Sequence, residues 1–227
     1  MQGEPRHQRI IGLFADILDY PAPGLAGQAA ECEALLGELA PEAAGLMQGF
    51  RSFADATPIG NLEEIYSGFF DLNPICHPYV GYQLFGENYK RSRFLLGLKS
   101  RYGAEGFEPS ANEIPDRLSI VLRFIARSKG GRETDDLVRE GLLPALERIT
   151  TRPESGHHDH DEPAEFDGDT GVERKQLDGD GHGEVLASGF LLGAGANGDM
   201  EAGETTPHPY HQALLALRLA LQVVWRS

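Results

Sequence analysis

Residues Tyr66–Phe124 read YSGFFDLNPICHPYVGYQLFGENYKRSRFLLGLKSRYGAEGFEPSANEIPDRLSIVLRF. Apolar positions recur there at helical spacing: Leu118, Val121 and Leu122, continuing to Ile125, form one stripe. Phe94, Leu95 and Leu98 form another, with Lys90, Arg91, Arg93 and Lys99 on the remaining faces of the same segment. Strand-like alternation is nearly absent, so the chain reads as all-α, a single helical bundle. The stretch also carries a dense aromatic set, a basic cluster and an acidic-proline turn, Glu113-Ile114-Pro115-Asp116. It holds no nucleophile–base set, and such a surface suits holding a peptide better than cutting one.

The helical pattern extends outward. Pro5 to Asp19 carries Ile10, Ile11, Phe14, Ile17 and Leu18 on one stripe and stops at Tyr20-Pro21. Leu25–Leu39 forms a second helix, broken by Pro41, and Glu42–Ala54 a third. Asn61 reads as the N-cap of a helix Leu62–Phe70, which Asn73-Pro74 interrupts. A long helix is expected from Tyr79 to Tyr102, with a break at Gly86. Pro115 and Asp116 read as the first turn of the next helix, which runs to Arg127. Glu133–Ile149 is amphipathic, with Pro144 as a kink point. The apolar residues Leu214, Leu215, Leu217, Leu219, Leu221, Val223 and Val224 mark a last helix over Pro207 to Trp225, expected to dock on the bundle because exposure of its stripe invites aggregation.

Composition separates one segment from the rest. The chain of 227 residues has a formal net charge of −15, and in 151–207 fourteen acidic residues stand against three basic ones, with eleven glycines. Low hydrophobicity with high charge cannot offset the entropy of ordering, so this insert is expected to be disordered, with Val185–Ala196 as a less polar island. The expected organisation is a helical domain over 1–150, an acidic Gly-rich linker over 151–207, and a C-terminal helix over 208–227. The acidity disfavours nucleic acid and anionic membrane surfaces and suits a cationic partner. No apolar run approaches the ~20 residues that span a bilayer, and the N-terminus lacks a signal-peptide pattern. The expected location is the cytoplasm, without stable membrane insertion.

Several residues invite chemistry. His157, His158 and His160, interleaved with Asp159 and Asp161, are a weak metal candidate, because an unstructured tract supplies no fixed geometry. His208 and His211 open the last helix and are also weak candidates. Cys76 reads as a small buried hydrophobe beside His77, and Cys32 and Cys76 form no C-x-x-C pair. Phosphate loops and zincin or hydrolase motifs are absent, so no catalytic residue and no enzyme activity are expected. Tyr79, Tyr82 and Phe85 lie at helical spacing and suit a groove with hydroxyls at its rim. Lys90, Arg91 and Arg93 read either as a solvated face or, in the functional alternative, with Arg91 paired to Asp71 or Asp116 or to a carboxylate of a partner.

Taken together these residues resemble the TorD/NarJ family of redox-enzyme maturation chaperones, in its nitrate reductase delta-subunit (NarJ-type) branch. The matching pieces are Leu18-Asp19-Tyr20-Pro21, then Tyr66 with Phe70-Asp71, and Tyr82 with Phe85-Gly86. Lys90-Arg91, Leu98, Tyr102 and Glu113-Ile114-Pro115-Asp116-Arg117-Leu118 follow, continuing into Leu122 and Phe124. The similarity covers about residues 9 to 130.

The resemblance implies an all-helical, non-catalytic protein with no cofactor of its own. Its partner would be the apo catalytic subunit of a molybdopterin oxidoreductase of the nitrate or dimethyl sulfoxide reductase class. That client carries molybdopterin guanine dinucleotide, and its N-terminal or leader segment would be held until the cofactor is inserted, before export or membrane docking. The partner-binding surface it implies comprises Tyr79, Tyr82, Phe85, Lys90, Arg91, Glu113, Pro115, Asp116 and Arg117. Tyr66, Phe70, Asp71 and Gly86 are its structural motif. Arg117 stands where the family commonly has histidine, so a fixed cation replaces a titratable one. The alternatives are a metal-handling accessory protein using the His/Asp tract, and a structural subunit of a reductase complex.

Overall fold

The computed structural model describes residues 5–72, 76–109, 113–151 and 207–225. Asn73-Pro74, the His157–His160 tract, the Val185–Ala196 island and almost all of the acidic insert lie outside the described residues. Those described are helical: α1 (Arg6–Ile17), α2 (Leu25–Leu39), α3 (Pro41–Ala56), α4 (Ile59–Ser67), α5 (Val80–Phe85), α6 (Tyr89–Ala104), α7 (Leu118–Arg127), α8 (Arg132–Asp136), α9 (Leu143–Thr151) and α10 (Pro209–Val224). Two wider, π-type turns extend α4 over Gly68–Leu72 and join α8 to α9 over Leu137–Leu142. The all-α reading stands.

The apolar stripes account for the packing. α1 buries Ile10, Ile11, Leu13, Phe14 and Ile17 and lies against α2 and α7. α7 buries Leu118, Val121, Leu122 and Ile125, the stripe read from the sequence, together with Ile120 and Phe124. α2 and α3, joined through Ala40 alone, pack on each other. α10 then covers α3 and α9, burying Tyr210, Leu214, Leu217, Leu221 and the small Ala213, Ala216 and Ala220 between them. Small residues on α10 let helix backbones approach closely, which is how a 16-residue helix becomes part of the core.

Helix starts differ from expectation where proline sets them. Pro41 is the first residue of α3, because its missing N–H is not needed there. Pro58 precedes α4, so Asn61 is not a cap; it sits inside the first turn and its N–H donates to the Pro58 carbonyl at 3.0 Å. α7 begins at Leu118 rather than at Pro115-Asp116, since Arg117 is held extended by an antiparallel bridge to Tyr79. The helix expected over Tyr79–Tyr102 with a break at Gly86 is two helices that part at that glycine. Gly86 turns at φ +62°, a conformation that favours glycine, and the Asn88 side chain caps α6 by accepting from the Lys90 N–H at 2.8 Å.

The helix expected over Glu133–Ile149 is a contiguous helical run, α8, a π segment and α9, with Pro144 just after the π segment. Pro144 has no N–H for the carbonyl of Glu140, and the turns just ahead of it widen into the π segment Leu137–Leu142. That segment packs on α5 and buries Leu137, Val138 and Leu142. The widened turn therefore also positions a wall beside the region taken up next.

Candidate functional site

Two chain segments far apart in sequence are tied together at Tyr79 and Arg117. The Val80 N–H donates to the Asp116 carbonyl and the Leu118 N–H to the Pro78 carbonyl, each at 2.8 Å. The Tyr102 hydroxyl donates to the Pro115 carbonyl at 2.8 Å, fixing the turn from α6. Buried backbone groups need such partners, so this turn cannot shift without breaking three bonds.

The turn presents Asp116, which is fully buried, to Arg91 on α6. Arg91 Nε donates to Asp116 Oδ2 at 3.1 Å and Nη2 approaches Oδ1 at 3.4 Å. Of the two expected partners of Arg91, the structure selects Asp116; Asp71 is exposed at the end of the first π turn. The Arg91 guanidinium also lies 5.6 Å from the ring centroids of both Tyr79 and Tyr82. A cation so placed is attracted by both rings, and its carboxylate partner keeps it from swinging away. Burial raises the pKa of the Tyr79 hydroxyl, with Arg117 pulling against it, so the group stays neutral and remains a hydrogen-bond donor.

Gly81 makes this arrangement possible. A Cβ there would stand 2.8 Å from Asp116 Oδ2 and 2.9 Å from the Phe94 ring. The sequence reading did not single it out. A glycine inside a short helix beside two aromatics was the available signal, because it marks close approach rather than flexibility.

Arg117 anchors a second polar set on the far side of the turn. Its Nη1 bonds both Glu113 oxygens at 2.8 Å, and its Nη2 donates to the Tyr66 hydroxyl at 3.0 Å and meets Asp19 at 3.3 Å. Asp19 also accepts from Arg123 at 2.6 Å, and Arg123 reaches Asp16 at 3.2 Å. Burial works against the Arg117 charge, but Glu113, Tyr66 and Asp19 outweigh it and raise its pKa. The Tyr66 hydroxyl is pushed up to about 12 by desolvation, partly offset by Arg117. Asp19 and Arg123, 104 positions apart, were not foreseen as a pair.

The remaining candidates are placed as follows. Phe85 is half-buried, 5.8 Å from the Phe94 ring, and lines a cavity of about 230 Å³ with Leu84, Leu98, Arg101 and Glu140. Lys90 is exposed at the start of α6 and stands outside the Arg91–Asp116 contact. Tyr66 and Phe70 are core residues whose rings lie 4.8 Å apart. Cys76 is buried, and the His77 ring packs on Tyr82 at 4.4 Å. Burial, then the nearby Glu31, raises the Cys32 thiol to about 12, far from the range of a reactive thiolate. His208 caps α10 by accepting from the Tyr210 N–H and stacks on Phe69 at 4.3 Å, while His211 meets the Thr150 carbonyl at 3.2 Å. Among the described residues no three His, Cys, Asp or Glu side chains converge as a metal site. No described helix is long and apolar enough to cross a membrane.

No family model matches the chain. A curated relative from Bacillus subtilis (strain 168), described as a probable nitrate reductase molybdenum cofactor assembly chaperone NarJ, is 30% identical over 115 residues. The match takes in 50% of this chain and 62% of that relative, so the chain spans less than two thirds of the relative's length. A crystal structure from Archaeoglobus fulgidus, described as a redox enzyme maturation protein, superposes with a TM-score of 0.42 and 20% identity. It covers 67% of this chain and 87% of its own.

Proposed function

We propose that this chain, which is similar to a NarJ assembly chaperone, belongs to the TorD/NarJ family and is a maturation chaperone for a molybdenum oxidoreductase. Its client is the apo catalytic subunit of an enzyme of the nitrate reductase class, held through its N-terminal or leader segment. Holding it keeps the client open until molybdopterin guanine dinucleotide is inserted. The chaperone itself supplies binding and no covalent chemistry.

The observation that carries this reading is the platform of Tyr79 and Tyr82 over Arg91, with Arg91 clamped to buried Asp116. Both rings are half-exposed and backed by a fixed turn, so little side-chain freedom is lost when a peptide lies on them. Rings of this kind take an apolar helix face, and the chain's net charge of −15 draws a basic leader toward it. Calorimetric titration of the client's N-terminal peptide tests it. Binding should weaken about tenfold in Tyr82→Ala, the scale of an aromatic anchor, and fall as salt rises. Equal affinity in Tyr82→Ala, or no heat with the wild-type chain, would remove the site.

A further inference from the structure

α5 carries Tyr82 and Phe85, yet it has six residues, fewer than a helix needs to persist alone in water. Val80 and Gly81, at its start, are buried, while Tyr82, Gln83, Leu84 and Phe85 are half-buried. The core therefore holds the front of the helix, aided by the Val80 N–H on the Asp116 carbonyl. The end that carries Phe85 needs another support.

The last four carbonyls of a helix lie where intrahelical donors run out. In α5 each has a donor. The Gly86 N–H donates to the Tyr82 carbonyl at 2.7 Å, and the Asn88 side-chain amide donates to that of Phe85. The other two are served from far along the chain. Arg148 Nη1, on α9, donates to the Gln83 carbonyl and, at 2.8 Å, to the Leu84 carbonyl. These partners stand 65 and 64 positions from Arg148. The arginine also brings a cation to the negative end of the helix dipole. Its own anchorage is firm. α9 packs on both α5 and α10 and buries Ala145, Leu146, Ile149 and Thr150. Arg218 of α10 donates to Thr150 Oγ1 at 2.8 Å, and His211 meets the Thr150 carbonyl at 3.2 Å.

We propose that Arg148 is a positioning residue of the Tyr79–Tyr82 surface: by holding the end of α5 from α9, it fixes where Tyr82 and Phe85 stand for an incoming peptide. The inference rests on the peptide-holding reading above and adds a residue that touches neither ring of the platform's cation pair. Arg148 is exposed, so replacing it opens no hole in the core.

The test uses the full chain and two variants, Arg148→Gln and Arg148→Lys. Three quantities are measured: the urea midpoint, hydrogen exchange of the Leu84, Phe85 and Gly86 amides, and calorimetric affinity for the N-terminal peptide of a nitrate reductase catalytic subunit. In Arg148→Gln the midpoint should hold, the three amides should exchange faster, and affinity should fall about threefold, the scale of a charge at a helix end. Affinity follows the fraction of molecules with α5 in place, so the last two should move together. Arg148→Lys, which keeps a cationic donor, should recover most of both. Wild-type exchange and affinity in Arg148→Gln overturn the proposal. So does a lowered midpoint with faster exchange throughout the chain, which would mark a role in stability alone, and so does a lysine variant no better than the glutamine one. No heat with the wild-type chain removes the client reading instead, and the three amides then still decide whether Arg148 holds α5.

Discussion

Two aromatic regions of this molecule look alike in sequence and differ in kind. Around Tyr210, the rings of Phe50, Phe53, Tyr66, Phe69, Phe70 and His208 all lie within 6.5 Å, mostly edge to face. Phe50, Tyr66, Phe69, Phe70 and Tyr210 are buried, Phe53 and His208 half-buried, and the Tyr210 hydroxyl finds no partner among the described residues. Around Arg91, the Tyr79 and Tyr82 rings remain half-exposed and share one cation held by one buried carboxylate. The first region is cemented by ring packing and tolerates an unpaired hydroxyl. The second depends on a charge pair that packing alone cannot replace. Aromatic density thus does not tell the two regions apart; what the rings lean on does.

The comparison is broken most severely at Asp116. Asp116→Ala leaves Arg91 unpaired against the tyrosines and should cost about 3 kcal/mol, the lower end for a broken buried pair, measured by urea unfolding. An unchanged midpoint would mean the pair is ornamental. Gly81→Ala forces a Cβ into Asp116 and Phe94 and should cost about 2 kcal/mol by overpacking, with a matching loss of peptide affinity. Tyr66 belongs to both regions, its ring near Tyr210 and its hydroxyl on Arg117. Tyr66→Phe should cost about 1.5 kcal/mol, a hydrogen bond to a charged group.

The same residue gives a pH dependence. Its folded pKa of about 12 stands above the ordinary 10.0, so the protonated form is favoured by folding. That contribution is complete below pH 10 and is lost as pH rises toward 12. Tyr66→Phe should flatten the alkaline fall in stability over that window. The smallest effect, and of opposite sign, is expected at Tyr210→Phe: removing an unpaired buried hydroxyl should stabilise by up to about 1 kcal/mol, read as a raised Tm. A loss instead would reveal a hidden partner and erase the contrast between the regions.

The helical architecture was legible because its signal is local and repetitive. α2 spans Leu25–Leu39 as its pattern predicts, and the stripe of α7 is buried as read. Boundaries set by tertiary contact were not legible. The delayed start of α7 follows from a bridge to Tyr79, 38 positions earlier, which no capping rule contains. In the site, Arg91 and the acidic turn were identified, but Asp116 could be preferred to Asp71 only once the backbone bonds of Pro78 and Val80 placed it. Gly81 and the Asp19–Arg123 pair went unread because each acquires meaning from a neighbour distant in sequence.

The last helix carries one more consequence, for the order in which the protein is made. α10 covers the face of α3 that presents Phe50, yet Pro209 follows the end of α3 at Ala56 by 153 residues. At the ~5–20 residues per second of translation, that interval holds the α3 face uncovered on the ribosome for roughly 8 to 31 seconds. Protease cleavage within α3 of nascent chains stalled before Pro209, absent once α10 has emerged, would register that window. A protein proposed to shelter unfinished clients passes through a stage of its own in which it needs shelter.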